Sequence, residues 1–122
     1  MLPQRSIRVF KTSVFAKAAR KAGIADDELC MAIHEVMNGQ YAADPGGGVY
    51  KKRLKRNMYR SIILAKCGKY WIFKYLCVKN ERDNIDDDEV QGYKLLAKSY
   101  ARLTDIQLNQ LLASKKLLEI CQ

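Results

Sequence analysis

The chain opens with a short alternation of apolar and polar positions and passes into two amphipathic stretches. Ile7 and Val9 are interleaved with Arg8 and Lys11, with Phe10 out of phase, which predicts a short first strand over Ile7 to Lys11. From Thr12 or Ser13 onward Phe15, Ala18, Ala19 and Ala22 fall on one side and Lys17, Arg20 and Lys21 on the other, the pattern of a helix. Gly23 suits a left-handed C-terminal cap. Asp26 is placed to cap a second helix, with Asp27 and Glu28 near its positive end and a buried stripe of Leu29, Ile33, Val36 and Met37. Gly39 ends it, and His34 in its middle reads as a surface or packing residue.

Gln40 to Gly48, with Pro45 and three consecutive glycines, has turn composition. Gly46 to Gly48 lack the Gly-Lys-Ser/Thr ending of a phosphate-binding loop and read as flexible connection. Val49 to Arg56 predicts a strand with Lys51, Arg53 and Lys55 on one face and Tyr50, Lys52 and Leu54 on the other. After a turn near Asn57, Arg60 to Lys66 predicts a second strand. After another at Gly68, Tyr70 to Val78 predicts a third, apolar on both faces except at Lys74. Tight turns between the three imply antiparallel pairing. Trp71, Phe73 and Tyr75 fit core packing better than base stacking, and Tyr59 and Tyr70 are open to either use.

Asp86 and Glu89 have the spacing of a helix start, with Ile85 and Val90 spaced as a hydrophobic staple. Val90, Tyr93, Ala97 and Tyr100 form the stripe of this third helix. The acidic run Asp86 to Glu89 lacks the glycine and ligand spacing of a calcium loop, so capping is the better reading. Thr104 and Gln107 repeat the capping-box spacing, with Leu103 and Leu108 as a second staple. A fourth helix is therefore expected from about Asp105 to near the C-terminus, with Leu111, Leu112, Leu117 and Leu118 on it.

Composition adds limits to this pattern. A chain of 122 residues with 48% hydrophobic and 29% charged residues is expected to form one compact domain over 1–122. Lys and Arg outnumber Asp and Glu by 22 to 13, and the net charge of +9 favours polyanionic partners, nucleic acid first. The excess is clustered: Lys51, Lys52, Arg53, Lys55, Arg56 and Arg60 lie close together, and Lys79 and Arg82 follow the last predicted strand. Cys30, Cys67, Cys77 and Cys121 contain no Cys-x-x-Cys pair and read as reduced thiols of a cytosolic protein. With one histidine there is no plausible zinc set, and no metal or cofactor is expected. The N-terminus lacks a signal-like apolar stretch. The longest apolar run, Tyr70 to Val78, is too short to span a bilayer.

With no Ser/His/Asp or Cys/His set, the chemistry falls to lysines and arginines. Arg offers phosphate a planar fork, and a lysine crowded by other cations can act as a base. Such a set suits metal-free RNA cleavage, in which a base removes the ribose 2′-hydroxyl proton and cations stabilise the charge growing on the attacked phosphate. Lys52, Lys55 and Arg56 are candidates for holding neighbouring phosphates.

Three segments, IRVFKTSVFAKAARKAG, GGGVYKKRL and KNERDNIDDDE, resemble the RelE superfamily of bacterial type II toxins, in its HigB-like branch. The resemblance spans nearly the whole chain. It implies an α+β, RelE-like fold: an N-terminal strand and two helices packed on a mainly antiparallel sheet with a three-stranded meander, here followed by two C-terminal helices. It also implies a cytoplasmic bacterial toxin that cuts mRNA on the ribosome and is neutralised by an antitoxin with a helix-turn-helix DNA-binding domain.

YKKRLKRNMYR keeps the family spacing, so Lys51 falls on the proposed general base, Arg53 on a second cationic position and Arg60 on the arginine that stabilises the transition state. Where the family pattern has Lys-Arg-Glu-Arg this chain has Lys79-Asn80-Glu81-Arg82, and Asp86 stands where the family carries a catalytic tyrosine. Arg82 or Lys79 is the candidate to supply the missing charge, with Lys79 and Asn80 as RNA contacts and Tyr93 as a possible approach from the third helix. The alternative is a non-catalytic protein of the same fold, either a ParE-like gyrase inhibitor or an RNA-binding remnant.

Overall fold

The computed structural model describes residues 7–66, 69–79 and 85–122. Its elements are β1 (Arg8–Thr12), α1 (Ser13–Ala22), α2 (Asp26–Met37), β2 (Ala43–Gly46), β3 (Val49–Leu54), β4 (Tyr59–Lys66), β5 (Tyr70–Val78), α3 (Asp87–Ala101), α4 (Asp105–Ala113) and β6 (Leu117–Ile120). One sheet of order β2-β3-β4-β5-β1-β6 holds them together, antiparallel except where β1 runs parallel to β5. The architecture is the expected α+β, RelE-like one, with β2 and β6 added to the predicted strands.

Apolar side chains divide between the two faces of this sheet. On one, Val9, Leu54, Ile63, Trp71 and Phe73 pack against Phe15 and Ala19 of α1 and Leu29 and Ile33 of α2. On the other, Phe10, Val49, Ile62, Leu64 and Ile72 meet Val90 and Ala97 of α3 and Leu108 of α4. β1 lies inside the sheet between β5 and β6 with both faces covered, which is why Val9 and Phe10 are both buried and its alternation is imperfect.

The helix boundaries follow local chemistry. The Thr12 hydroxyl accepts from the Phe15 N–H at 3.1 Å, and Gly23 takes a left-handed φ of 73°. The Asp86 carboxylate accepts from the Glu89 N–H at 2.9 Å, and Thr104 and Gln107 close a reciprocal capping box. Asp26 does not cap α2 as expected. Ala25 holds that position, and Asp26 lies in the first turn, where its carboxylate accepts from Lys11 Nζ at 2.8 Å. Met37, expected in the buried stripe of α2, is 43% exposed.

Three further expectations are corrected. The fourth helix stops at Ala113, Lys115 adopts a positive φ, and Leu117–Ile120 returns as a strand antiparallel to β1, where Leu117 buries fully. Ser114-Lys115-Lys116 breaks the leucine stripe, and Leu117 and Ile120 gain a burial against the sheet that a longer exposed helix would forgo. Cys30 and Cys121 are not reduced thiols but a disulfide with Cα atoms 5.6 Å apart, while Cys77 takes no part in a disulfide and is buried. The triglycine is no slack connection. Gly46 ends β2, and Gly47 and Gly48 turn the chain into β3 with positive φ.

At Gly48 a Cβ would lie 2.7 Å from the Ala65 carbonyl oxygen, so backbone closeness as well as φ requires glycine. The expected turn at Gly68, and Cys67, lie outside the described residues.

Lys74, the polar interruption of β5, is the extra residue of a β-bulge. Ile62 pairs with Tyr75 and Ile63 with Phe73, so Lys74 is skipped by the ladder. The skip reverses the alternation. Phe73 points to α1, its ring 5.1 Å from that of Phe15, whereas Tyr75 points to α3, 6.3 Å from the ring of Tyr93. The last part of β5 is thereby aligned with the face used by the cations of β3 and β4.

Candidate active site

The alternation of β3 sends Lys51 and Arg53 to the sheet face that carries α3, and the register with β4 sets Lys51 opposite Ile62 and Arg53 opposite Arg60. Arg60 in turn faces Cys77 across β4 and β5. Lys51, Arg53 and Arg60 therefore converge, although nine positions separate the first from the last in the chain. They line one small pocket of about 30 Å³, which Ile85, the buried residue just before the α3 cap, closes from above. Lys51 and Arg60 are half-buried and Arg53 is exposed. Three cations held together by strand geometry repel one another, and an anion placed among them relieves that repulsion. A phosphate oxygen is the natural occupant for such forks and ammonium groups.

Ser61 braces this hairpin from within: buried between Arg60 and Ile62, its hydroxyl donates to the Lys52 carbonyl at 2.7 Å.

Other cations of the cluster are placed differently. Lys52 points to the opposite face, where its ammonium donates to the Gln40 carbonyl at 2.9 Å and pairs with Glu35 at 3.1 Å. Lys55 ties the β3–β4 turn to the helices, its ammonium donating to the Ala22 carbonyl and its backbone N–H to Glu28. Lys55, Arg56 and Asn57 all carry positive φ, with Arg56 exposed at the tip. Lys79 is exposed beside that turn, its N–H donating to the Met58 carbonyl at 3.0 Å. Asn80 and Arg82 lie outside the described residues.

Asp86 is occupied in capping α3. Tyr93 packs toward Tyr75 on the same face as the cations. Of the aromatic residues, Trp71 and Phe73 are core, and Tyr70 donates to the Tyr100 carbonyl at 2.8 Å while packing edge-on to Phe10. Tyr50 is different. Its ring lies 5.3 Å from that of the exposed Tyr41 and 5.5 Å from that of Trp71, and burial, then Asp44 and Tyr41, push its phenol above the usual tyrosine range. Sequence reasoning passed over Ile85 as a pocket residue and Tyr41 altogether. A position immediately before a helix cap, and an aromatic beside a short edge strand, carry no periodic signal.

No helix among the described residues is long and apolar enough to cross a membrane. Comparison with curated proteins gives no match. A family model described as the RelE toxin of the RelE/RelB toxin–antitoxin system matches residues 7–120. That span contains the entire sheet, all four helices and the convergent cations, and on it the chain belongs to the RelE toxin family, as a toxin whose system includes an antitoxin partner.

Proposed function

We propose that this toxin is a metal-independent endoribonuclease that cleaves mRNA on the ribosome and so arrests translation in the bacterial cytoplasm. Within the family we place it in the HigB-like branch, acting as one domain over 1–122 and neutralised by an antitoxin with a helix-turn-helix domain. The observation that carries this reading is the convergence of Lys51, Arg53 and Arg60 on one pocket.

In the reaction, Lys51 takes the proton of a ribose 2′-hydroxyl. The freed oxygen attacks the adjacent phosphorus, and the bond to the 5′-oxygen of the next nucleotide breaks. A 2′,3′-cyclic phosphate and a 5′-hydroxyl result once that oxygen is protonated. Arg53 and Arg60 stabilise the added negative charge, assisted by Lys79, which follows β5, or by Arg82. Arg56 and Lys79 attract flanking phosphates, joined in this role by Asn80. Lys52 and Lys55 add to the field while bracing the hairpin.

A second reading is favoured by Asp86, whose carboxylate serves the helix cap where a catalytic phenol is expected. A protein without a positioned acid loses on the order of 100-fold to 10,000-fold in rate, and the fold would then act by binding, to gyrase or to RNA.

The test is to incubate the purified toxin with programmed ribosomes and map the mRNA ends, beside the Lys51→Ala/Arg53→Ala/Arg60→Ala triple variant. Cleavage by the wild type alone supports the nuclease. Equal cleavage by the variant removes the site, and no cleavage together with blocked gyrase supercoiling selects the binding reading.

A further inference from the structure

The cationic pocket continues into a track around the edge of the sheet. β2 is the edge strand and accompanies β3 only as far as Lys51, through the Ala43 to Lys51 pair and the Ala42 N–H to Lys51 carbonyl bond at 2.8 Å. Where β2 stops, a depression of about 280 Å³ opens over Gln40, Tyr41, Ala42 and Asn57, and it shares Ala42, Lys52 and Arg53 with the pocket of the convergent cations. Tyr41 in turn belongs to a further cavity of about 400 Å³ on the opposite face, walled by Tyr50, Trp71, Val36 and Met37.

The chemistry changes along this track. Its first part is cationic. Its middle offers exposed Arg53 beside Asn57. Its end presents a cluster of mutually tilted aromatic rings and no charged lining side chain. A phosphate fits the first two parts. The last repels a phosphate and suits the flat neutral face of a base, since aromatic platforms bind bases through stacking whatever their sequence.

We propose that Tyr41 and Tyr50, with Trp71 beside them, form a base-binding subsite that holds a nucleobase of the same single-stranded RNA whose phosphate is bound by Lys51, Arg53 and Arg60, further along the strand and around the sheet edge. Tyr41 is 37% exposed and forms the open side of the aromatic cluster, while Tyr50 is half-buried and held from behind by Trp71. Burial, then Asp44 and Tyr41, raise the Tyr50 phenol, so the ring itself stays neutral. Trp71, 7% exposed, keeps its indole Nε1 without a hydrogen-bond partner among the described residues, leaving a donor in the aromatic wall. RNA reaching this subsite crosses the sheet edge at Arg53, where β2 no longer covers β3. The assignment rests on the nuclease reading for its RNA substrate, but its readout is separate.

Trp71 is the chain's one tryptophan, so its emission reports the pocket directly. A short fluorescein-labelled oligoribonucleotide, made uncleavable by 2′-deoxy substitution, is titrated into the full chain while anisotropy and Trp71 emission are followed. Quenching should track binding. Tyr41→Ala, with its fold checked by circular dichroism, should bind about 10-fold more weakly, and Tyr41→Phe should bind as the wild type does. An abasic version of the same oligonucleotide should erase the difference between Tyr41→Ala and wild type.

Equal affinity of Tyr41→Ala and wild type for the intact oligonucleotide, saturation without a change in Trp71 emission, or no binding at all overturns the subsite. Unchanged RNA binding by Tyr41→Ala with loss of antitoxin capture also overturns it and assigns the aromatic pocket to the antitoxin. Wild-type protein that binds with quenching yet cuts no mRNA on ribosomes keeps the subsite and loses the nuclease. Cleavage without any Tyr41 dependence does the reverse.

Discussion

Arg53 and Arg60 stand directly opposite each other across the β3–β4 ladder, both on the face that carries α3. Like charges in that relation destabilise a hairpin by about 0.2–1 kcal/mol, a cost that binding an anion removes. Arg53→Gln should lower mRNA cleavage on the order of 100-fold and leave the thermal midpoint little changed. A variant that melts earlier and cuts normally would make this pair structural instead.

Gly48 joins a positive φ of 80° to a close approach of the Ala65 carbonyl, whose own residue donates its N–H back to the Gly48 carbonyl at 2.8 Å. Gly48→Ala should destabilise the fold by at least about 1 kcal/mol, read as a lower urea midpoint. Gly39 has a similar φ, but a methyl group there would meet nothing within 4 Å, so Gly39→Ala should cost less. Equal losses at the two sites would refute the role of the Ala65 contact.

The Cys30–Cys121 bond closes a separation of 91 residues and fastens the end of β6 to α2. In the chain-entropy account a loop of that size stabilises by about 4.6 kcal/mol. Adding a reductant, or making Cys121→Ser, should lower the melting temperature by similar amounts, and the two treatments together should add nothing further. Identical melting with and without reductant would show that the bond contributes no stability.

Arg8 grips Glu119 with two hydrogen bonds, from Nε at 2.8 Å and from a terminal nitrogen at 2.9 Å, and this holds the Glu119 carboxyl below its ordinary value of 4.5. A carboxyl depressed by folding contributes stability that is present above its unfolded pKa and lost as pH falls through the folded one. Arg8 is over a third exposed, so the contribution is under about 1 kcal/mol. Wild type should lose more of its melting temperature than Glu119→Gln as pH drops below 4.5. Parallel acid profiles would remove the pair from the account.

Much of the fold was legible because its signals are local. Thr12, Asp86 and Thr104 each cap a helix through a bond to a residue three positions on, and such spacing is visible in the chain. Asp26 misled for the same reason: a carboxylate at a helix start can cap it or sit in the first turn, and Lys11, fifteen positions away, draws it into the second arrangement. The β6 strand was missed because its reward is burial of Leu117 against the sheet, a contact with an element at the other end of the sequence.

By itself the sequence determined the period of β3, and through it that Lys51 and Arg53 share a face, since side chains alternate strictly along a paired strand; the register of the β3–β4 ladder brings Arg60 to the same face. Tertiary structure alone decided what surrounds them. The bulge at Lys74 swings Tyr75 and Cys77 to the cationic face, Ile85 closes the pocket, the early end of β2 opens the sheet edge, and Cys121 reaches Cys30. Each of these depends on register or on contacts between residues far apart in the chain, where packing and backbone pairing override any local preference.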